Sequence, residues 1–353
     1  MTENTMIFDG HNDVLLRLHE KQKQHVEMDF VLGDVEGHMD MPRMRKGGCG
    51  GGLFAIYIPN ADELSQLHDL MVGAEFDVPL PEPIDIIDAM PIALSMAAIL
   101  HRIEKASDGE FKVCRTTADL KACAASGTVA AVMHMEGAEA IDKDFNALEV
   151  FYAAGLRSLG PVWSRSNIFG HGVPFRFPST GDTGPGLTDT GKALMRACGD
   201  MGIAVDLSHI TEQGFWDVAA ISDKPLIASH SNPYALCKSS RNLSDKQLDA
   251  IAESGGLVGL NFATCFLNQD GQGDTTTSFE TMLRHLDYLI EKLGVDHVGF
   301  GSDFDGADMP DVIGDVAGLP ALLSAMRNHG YDDATIQKIA YENWFNTLEK
   351  SWL

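Results

Sequence analysis

Met6-Ile7-Phe8-Asp9-Gly10-His11-Asn12-Asp13 begins as a short apolar run and closes on acidic and imidazole side chains. A run of that length, bounded by turn residues, reads as a strand buried on both faces. The same form returns at Leu53–Ile58, Val129–Glu136, Leu156–Trp163, Ile203–Ile210, Pro225–Ser231, Gly256–Phe262 and His297–Asp303. Helical periodicity fills the intervals. Ile84–Ala106 carries Leu94, Ala98 and Ile99 on one face, and Phe279–Leu293 repeats the pattern with Leu283, Leu286 and Ile290. Ser244 ahead of Asp245-Lys246-Gln247 reads as an N-cap with Gln at the third helical position. Regular alternation predicts parallel strands joined by right-handed crossovers. An open doubly wound sheet shares that alternation, but eight strands and their polar ends favour an α/β fold closed as a (β/α)8 TIM barrel. Residues 1–353 are expected to form one such domain.

The glycine run Gly47-Gly48-Cys49-Gly50-Gly51-Gly52 lacks the Lys-Ser/Thr ending of a phosphate loop, and predicts a tight approach to the second strand. Phe169–Thr188, rich in Gly and Pro, is placed either over the barrel mouth or as a plain surface loop.

Composition narrows the function. The 353 residues are enough for one barrel with insertions. With 26 basic against 51 acidic residues the formal charge is -25, a surface that repels phosphate backbones and anionic lipid. Nucleic-acid and membrane partners are therefore not expected; most of the acidity reads as solvated carboxylate. Met1–Asp9 lacks the basic and apolar regions of a signal peptide. No run of about 18 apolar residues is evident, and Lys350-Ser351-Trp352-Leu353 offers no tail for a lipid anchor. The six cysteines form no CxxC pair and read as reduced, mostly buried thiols of a cytoplasmic protein.

The chemistry lies at the strand ends. The first closes with His11 and Asp13, two residues apart and so expected on one side of a strand. The third closes with Met133-His134-Met135-Glu136-Gly137, the fifth with Asp206-Leu207-Ser208-His209, the sixth with Ala228-Ser229-His230-Ser231, and the eighth with Gly301-Ser302-Asp303-Phe304-Asp305-Gly306. In a barrel these ends share the rim where enzymes of this fold build their sites. Each residue alone has an ordinary reading, a hydrogen-bonded core histidine or an aspartate capping a helix. Five strand ends doing this together point to a metal site. Imidazole and carboxylate suit a borderline divalent ion such as zinc. Three histidines and two carboxylates exceed one four-coordinate catalytic ion; they suit two ions sharing a carboxylate, with room for a hydroxide.

Asp9-Gly10-His11-Asn12-Asp13, Met135-Glu136-Gly137, Leu207-Ser208-His209, Ser229-His230-Ser231, Arg241-Asn242 and Ser302-Asp303-Phe304-Asp305-Gly306 together resemble the membrane (renal) dipeptidase family, peptidase family M19 of the amidohydrolase superfamily. The motifs run in the family's order from about Phe8 to Trp344. The resemblance implies that His11 and Asp13 hold one zinc, His209 and His230 a second, and Glu136 bridges them. It also implies that Asp303 takes a proton from the bridging hydroxide and passes it to the leaving amine, while Arg241 clamps the dipeptide's carboxylate. The implied activity is zinc-dependent hydrolysis of small dipeptides, often with a D-residue at the carboxyl-terminal position. Barrels of this kind often pair, which leaves a homodimer open. The rival readings are another amide, lactone or N-acyl amino acid hydrolase, and a metal-binding barrel without catalysis.

One departure stands out. Renal-type members carry a carbonyl-polarising histidine after strand four, where this chain has Pro161-Val162-Trp163-Ser164-Arg165-Ser166-Asn167, with Trp163 at the matching position. Trp cannot carry a positive charge but can donate through its ring N–H; Arg165 or His171 are candidates for the missing group. His134 shares a strand face with Glu136 and is a candidate neighbour of the ligands. Asp9 and Asp305 are read as turn residues or ligand-orienting groups. His19, His25, His38, His68, His101, His285, His297 and His329 match no motif.

Overall fold

Eight parallel strands make the frame of the computed structural model, which describes residues 5–60 and 70–353; His68 lies outside the described residues. They are β1 (Ile7–Asn12), β2 (Cys49–Tyr57), β3 (Val129–Glu136), β4 (Leu156–Gly160), β5 (Ala204–Val205), β6 (Ile227–Ala228), β7 (Leu257–Leu260) and β8 (Val298–Phe300). Their order in the sheet is β5-β4-β3-β2-β1-β8-β7-β6. Its two ends meet where Asp206 and Ile227 form a parallel bridge and the Leu207 N–H donates to Ile227 O at 2.8 Å. The barrel is the closed alternative, not the open sheet. Every run expected as a strand contributes one.

β5 and β6 are shorter than their apolar runs. The cause is Asp206, whose carboxylate accepts from the Ser229 N–H at 2.8 Å and the Ser208 N–H at 3.2 Å. A side chain there takes the place of ladder bonds. β1 departs from regular pairing in another way. Asp9 sits opposite Gly52 and Asn12 opposite Phe54, so three steps along β1 match two along β2. Such a bulge bends the strand and re-aims its side chains. His11 and Asp13 thus converge through a bulge and a turn, not by the plain alternation expected from their spacing.

The barrel's lower interior is filled by Phe8, Leu53, Ala130, Val132, Ile227 and Leu257, packed against Trp344, Phe345 and Leu348 of the carboxyl-terminal helix Asn343–Trp352. Trp344 is fully buried and its Nε1–H donates to Phe300 O at 2.9 Å. Burying each such side chain stabilises the fold by about 1.5–3 kcal/mol. Gly10 is required by this plug, since a Cβ there would lie 2.2 Å from the Trp344 ring. A larger apolar shell, including Ile56, Met133, Leu159 and Val258, lies between strands and outer helices. Gly51 serves the expected tight approach: an added Cβ would meet Ala130 O of β3 at 2.2 Å.

The outer helices follow the sequence closely. Phe279–Leu293 is helical over its predicted span, and Gln247 Oε1 accepts the Ser244 N–H at 2.9 Å ahead of helix Asp245–Glu253. Helix Ile86–Ala106 differs from expectation: with a mean hydropathy of 1.5 it is long and apolar enough, by length and composition, to cross a bilayer. One of its faces buries Ala89, Ala93, Met96, Leu100 and Ile103 against the protein, which accounts for much of that apolarity, whereas Leu94, expected on a common face with Ile99, is exposed. All six cysteines are free, five of them buried.

Candidate metal centre

The strand ends converge as the barrel requires. His11 is the penultimate residue of β1 and Glu136 the last of β3, while His209, His230 and Asp303 stand in the segments after β5, β6 and β8. All are buried, as is Asp13. Donor atoms of His11, Asp13 and Glu136 lie within 4.8 Å of one another, and so do those of Glu136, His209 and His230. Glu136 is common to both groups. Its Oε2 is 3.5 Å from His11 Nε2, and its Oε1 is 3.0 Å from His209 Nε2 and 3.5 Å from His230 Nε2. Asp303 joins His11 and His230 in a further group of the same tightness.

Local structure is spent on this convergence. Asp13 occupies the N-cap position of helix Val14–Glu20 but makes no capping bond. Its Oδ1 has no hydrogen-bond partner among the described residues, so the capping role is forfeited. Asp303 has φ +65°, a left-handed backbone uncommon outside glycine.

The electrostatics call for positive charge. Burial pushes the Glu136 carboxyl up to about 7, against the pull of His11, and raises Asp303 as well. Burial alone would lower His11, but the Glu136 and Asp13 carboxylates outweigh it and hold His11 well above the usual histidine range. His209 and His230 are held well below that range, by burial first and by nearby Arg241 and His11 next. Their Nδ1 atoms meet serine hydroxyls, Ser164 at 2.9 Å and Ser229 at 2.8 Å, while their Nε2 atoms face each other at 3.0 Å. Two lone pairs so close repel unless a cation or proton lies between them. His11 Nδ1 and Nε2 have no hydrogen-bond partner among the described residues, a cost of the kind that a bound ion removes. These residues fit a divalent metal, with the nitrogen and oxygen donors that zinc accepts.

Above the cluster opens a cavity that is partly open to solvent. Asp13, Glu136, His209 and Asp303 form its polar lining, and Tyr57, Trp163, Phe175 and Phe266 its aromatic walls. Phe175 comes from the Gly- and Pro-rich segment after β4, so that segment does reach the mouth. Arg241 is buried behind His209. Its Nη2 is 3.2 Å from His209 Nε2 and donates to His230 O at 3.3 Å, and its Nη1 donates to Ser208 O.

A family model described as membrane dipeptidase, peptidase family M19, matches residues 1–351. The chain belongs to the membrane dipeptidase family. A metallo peptidase from Rhodobacter sphaeroides, solved with a phosphinate mimic of the dipeptide L-Ala-D-Ala, is 52% identical with a TM-score of 0.97, over 99% of this chain and 100% of that one. The crystal structure of the dipeptidase AC, a metallo peptidase, is 53% identical with a TM-score of 0.96 over 99% of each chain. An uncharacterized protein in the pqqA 5′ region of Klebsiella pneumoniae is 45% identical over 265 residues, 75% of this chain and 98% of its own length. The chain is a metal-binding dipeptidase built on a TIM barrel.

As an M19 dipeptidase it keeps its departure after β4. Trp163 lines the cavity, with its ring 5.6 Å from that of His209 and 5.0 Å from that of Tyr57. Neither cationic candidate joins it in the cavity lining, although the Arg165 guanidinium lies 5.6 Å from the centre of the Trp163 ring. Arg165 is fully buried, giving its Nε and Nη2 protons to Glu139 Oε1 at 3.1 Å and a second Nη2 proton to Ile58 O at 2.8 Å. His171 Nδ1 lies 3.1 Å from Ser166 Oγ and is absent from the cavity lining. His134 lies under Glu136, with Nδ1 2.9 Å from Ser158 Oγ and Nε2 3.6 Å from Asp206 Oδ2. Asp9 accepts the Ser302 N–H at 2.7 Å and hydroxyl at 2.8 Å; Asp305 accepts from Arg17 Nε at 3.0 Å and the His38 N–H at 2.5 Å. Both aspartates therefore fix the turn that carries Asp303. Sequence reasoning missed Ser164, Asp206, Ser229, Asn261 and Gly306. A serine directly before each of His209 and His230 was the available signal for one of them.

Proposed function

We propose that this dipeptidase holds two zinc ions, one among His11, Asp13 and Glu136 and the other among Glu136, His209 and His230, and cleaves small dipeptides, including L-Xaa-D-Xaa. The observation that carries the reading is Glu136, which turns one oxygen to each histidine group. Two such ions, when bound, supply a hydroxide nucleophile at neutral pH and polarise the scissile carbonyl.

The chain's own residues do the rest. Asn261 Nδ2 donates to Asp303 Oδ2 at 2.9 Å and fixes that carboxylate beside His11 and His230. Burial raises Asp303, which suits a group that accepts a proton and returns it to the leaving amine. Arg241 supplies a fixed positive charge behind His209, drawing the dipeptide's carboxylate to that side. Trp163 packs against the substrate's apolar part and presents a ring N–H in place of the family's histidine. Tolerance of a D-residue is supported by the Rhodobacter sphaeroides relative, solved with a mimic of L-Ala-D-Ala.

The test pairs metal analysis with a substrate screen of the zinc-loaded protein against L,D- and L,L-dipeptides and N-acetyl amino acids. The expected result is two zinc per chain and turnover of free dipeptides. Stoichiometric zinc without turnover of any dipeptide, or turnover of the N-acetyl compounds alone, overturns the substrate reading; a single ion overturns the shared-carboxylate centre.

A further inference from the structure

Asp206 sits where β5 and β6 meet, and its carboxylate receives four hydrogen bonds. Oδ1 accepts from the Ser208 N–H at 3.2 Å, the Ser208 hydroxyl at 2.7 Å and the Ser229 N–H at 2.8 Å; Oδ2 accepts from the Ser229 hydroxyl at 2.5 Å. A serine hydroxyl has one proton to give. With that proton committed to Asp206, Ser229 Oγ has none left for its other contacts, Ser208 Oγ at 3.3 Å, whose own proton is also on Asp206, and His230 Nδ1 at 2.8 Å, from which it can only accept. His230 must then carry its proton on Nδ1 and leave Nε2 bare, the nitrogen that faces Glu136 and His209. Ser208 cannot reverse the chain, because its own proton is also on Asp206 while its oxygen accepts the His230 N–H at 3.2 Å.

We propose that Asp206 is a positioning residue which, through Ser229, fixes the tautomer of His230 and thereby sets the affinity of the ion site formed by Glu136, His209 and His230. The proposal rests on the reading of that cluster as a metal site. Closing the barrel explains the backbone contacts of Asp206 but requires nothing of the Ser229 hydroxyl. Asp206→Asn reverses the chain: its amide can face Ser229 Oγ as a donor, Ser229 then gives its proton to His230 Nδ1, and the remaining ring proton moves to Nε2. In that tautomer Nε2 has no lone pair to offer, and ligation must first return the proton to Nδ1 at the expense of the bond from Ser229.

The first readout is nitrogen NMR of the metal-free protein, which reports which ring nitrogen of His230 is protonated. Nδ1–H is expected in the native chain and Nε2–H in Asp206→Asn. The second is zinc affinity by chelator competition. Asp206→Asn should weaken one ion by roughly 10–100-fold and spare the other, as loss of a ligand's supporting partner does elsewhere. Ser229→Ala removes the link while leaving the Asp206 carboxylate in place, and should weaken the same ion; it serves if Asp206→Asn fails to fold. An Nε2–H tautomer in the native chain overturns the proposal whether or not zinc binds. So does native affinity for both ions in a folded variant. A native chain that takes up no metal yet shows Nδ1–H would instead count against the metal-centre reading and leave the tautomer relay standing.

Discussion

Gly306 and Asp13 touch so closely that a Cβ at Gly306 would lie 2.2 Å from Asp13 Oδ2, and 2.7 Å from Asp303 Oδ1. The Gly306 N–H also donates to Asp303 O at 3.0 Å, closing the turn after β8. Gly306→Ala therefore pushes on two site carboxylates at once while leaving the core untouched. A displacement of that order costs roughly 100-fold in rate where geometry matters. The expected result is a kcat/KM lower by roughly 100-fold with little change in thermal unfolding. Native kinetics in the variant would mean that the two carboxylates are not held where this contact puts them.

Asp303→Asn separates proton transfer from metal binding. Asn tolerates the φ of +65° at this position and fills the same volume. Removing a general acid–base group costs about 10²–10⁴-fold. The variant should lose that much in kcat while metal analysis shows both ions retained. If metal is lost together with activity, Asp303 is a ligand and the assignment of the proton to it fails.

The barrel and the meeting of the donor residues were legible because each strand is a short buried run, five of the eight close on His, Asp or Glu, and a parallel barrel collects all such ends at one rim. What was not legible depends on contacts between residues far apart. The β1 bulge arises from pairing with β2, and Asp206 acts on Ser229 across the last gap in the ring. Asn261 and Gly306 belong to no donor pattern and matter only through what touches them. Arg165 misled for the same reason. Its place two residues after Trp163 suggests the cavity, but Glu139 from the segment after β3 turns it into the protein.

Arg165→Met tests that structural role. Arg165 and Glu139 are both buried side chains with no solvent exposure. Removing the guanidinium leaves a buried carboxylate without its partner, a change that costs about 3–5 kcal/mol. Urea unfolding should report a loss of that size. A loss below about 1 kcal/mol, with the hydrolytic rate strongly reduced, would return Arg165 to the list of groups acting on substrate.

His285 should give the fold a measurable pH dependence away from the metal centre. It lies buried on helix Phe279–Leu293, where its Nε2–H donates to Leu267 O at 2.9 Å and Nδ1 has no hydrogen-bond partner among the described residues. Burial pulls its pKa down from 6.5 to about 4, with Arg284 adding to the effect. The folded value is below the unfolded one, so the unfolded chain takes the proton first as pH falls. Stability that is fully present above pH 6.5 is lost as pH drops toward about 4. The shift corresponds to about 3 kcal/mol across that window. His285→Gln keeps a donor for Leu267 O but cannot titrate. Its unfolding free energy, followed by urea denaturation from neutral pH down to pH 4, should fall by about 3 kcal/mol less than that of the native chain. Parallel curves for the two proteins would show that His285 does not bear the cost of burial assigned to it.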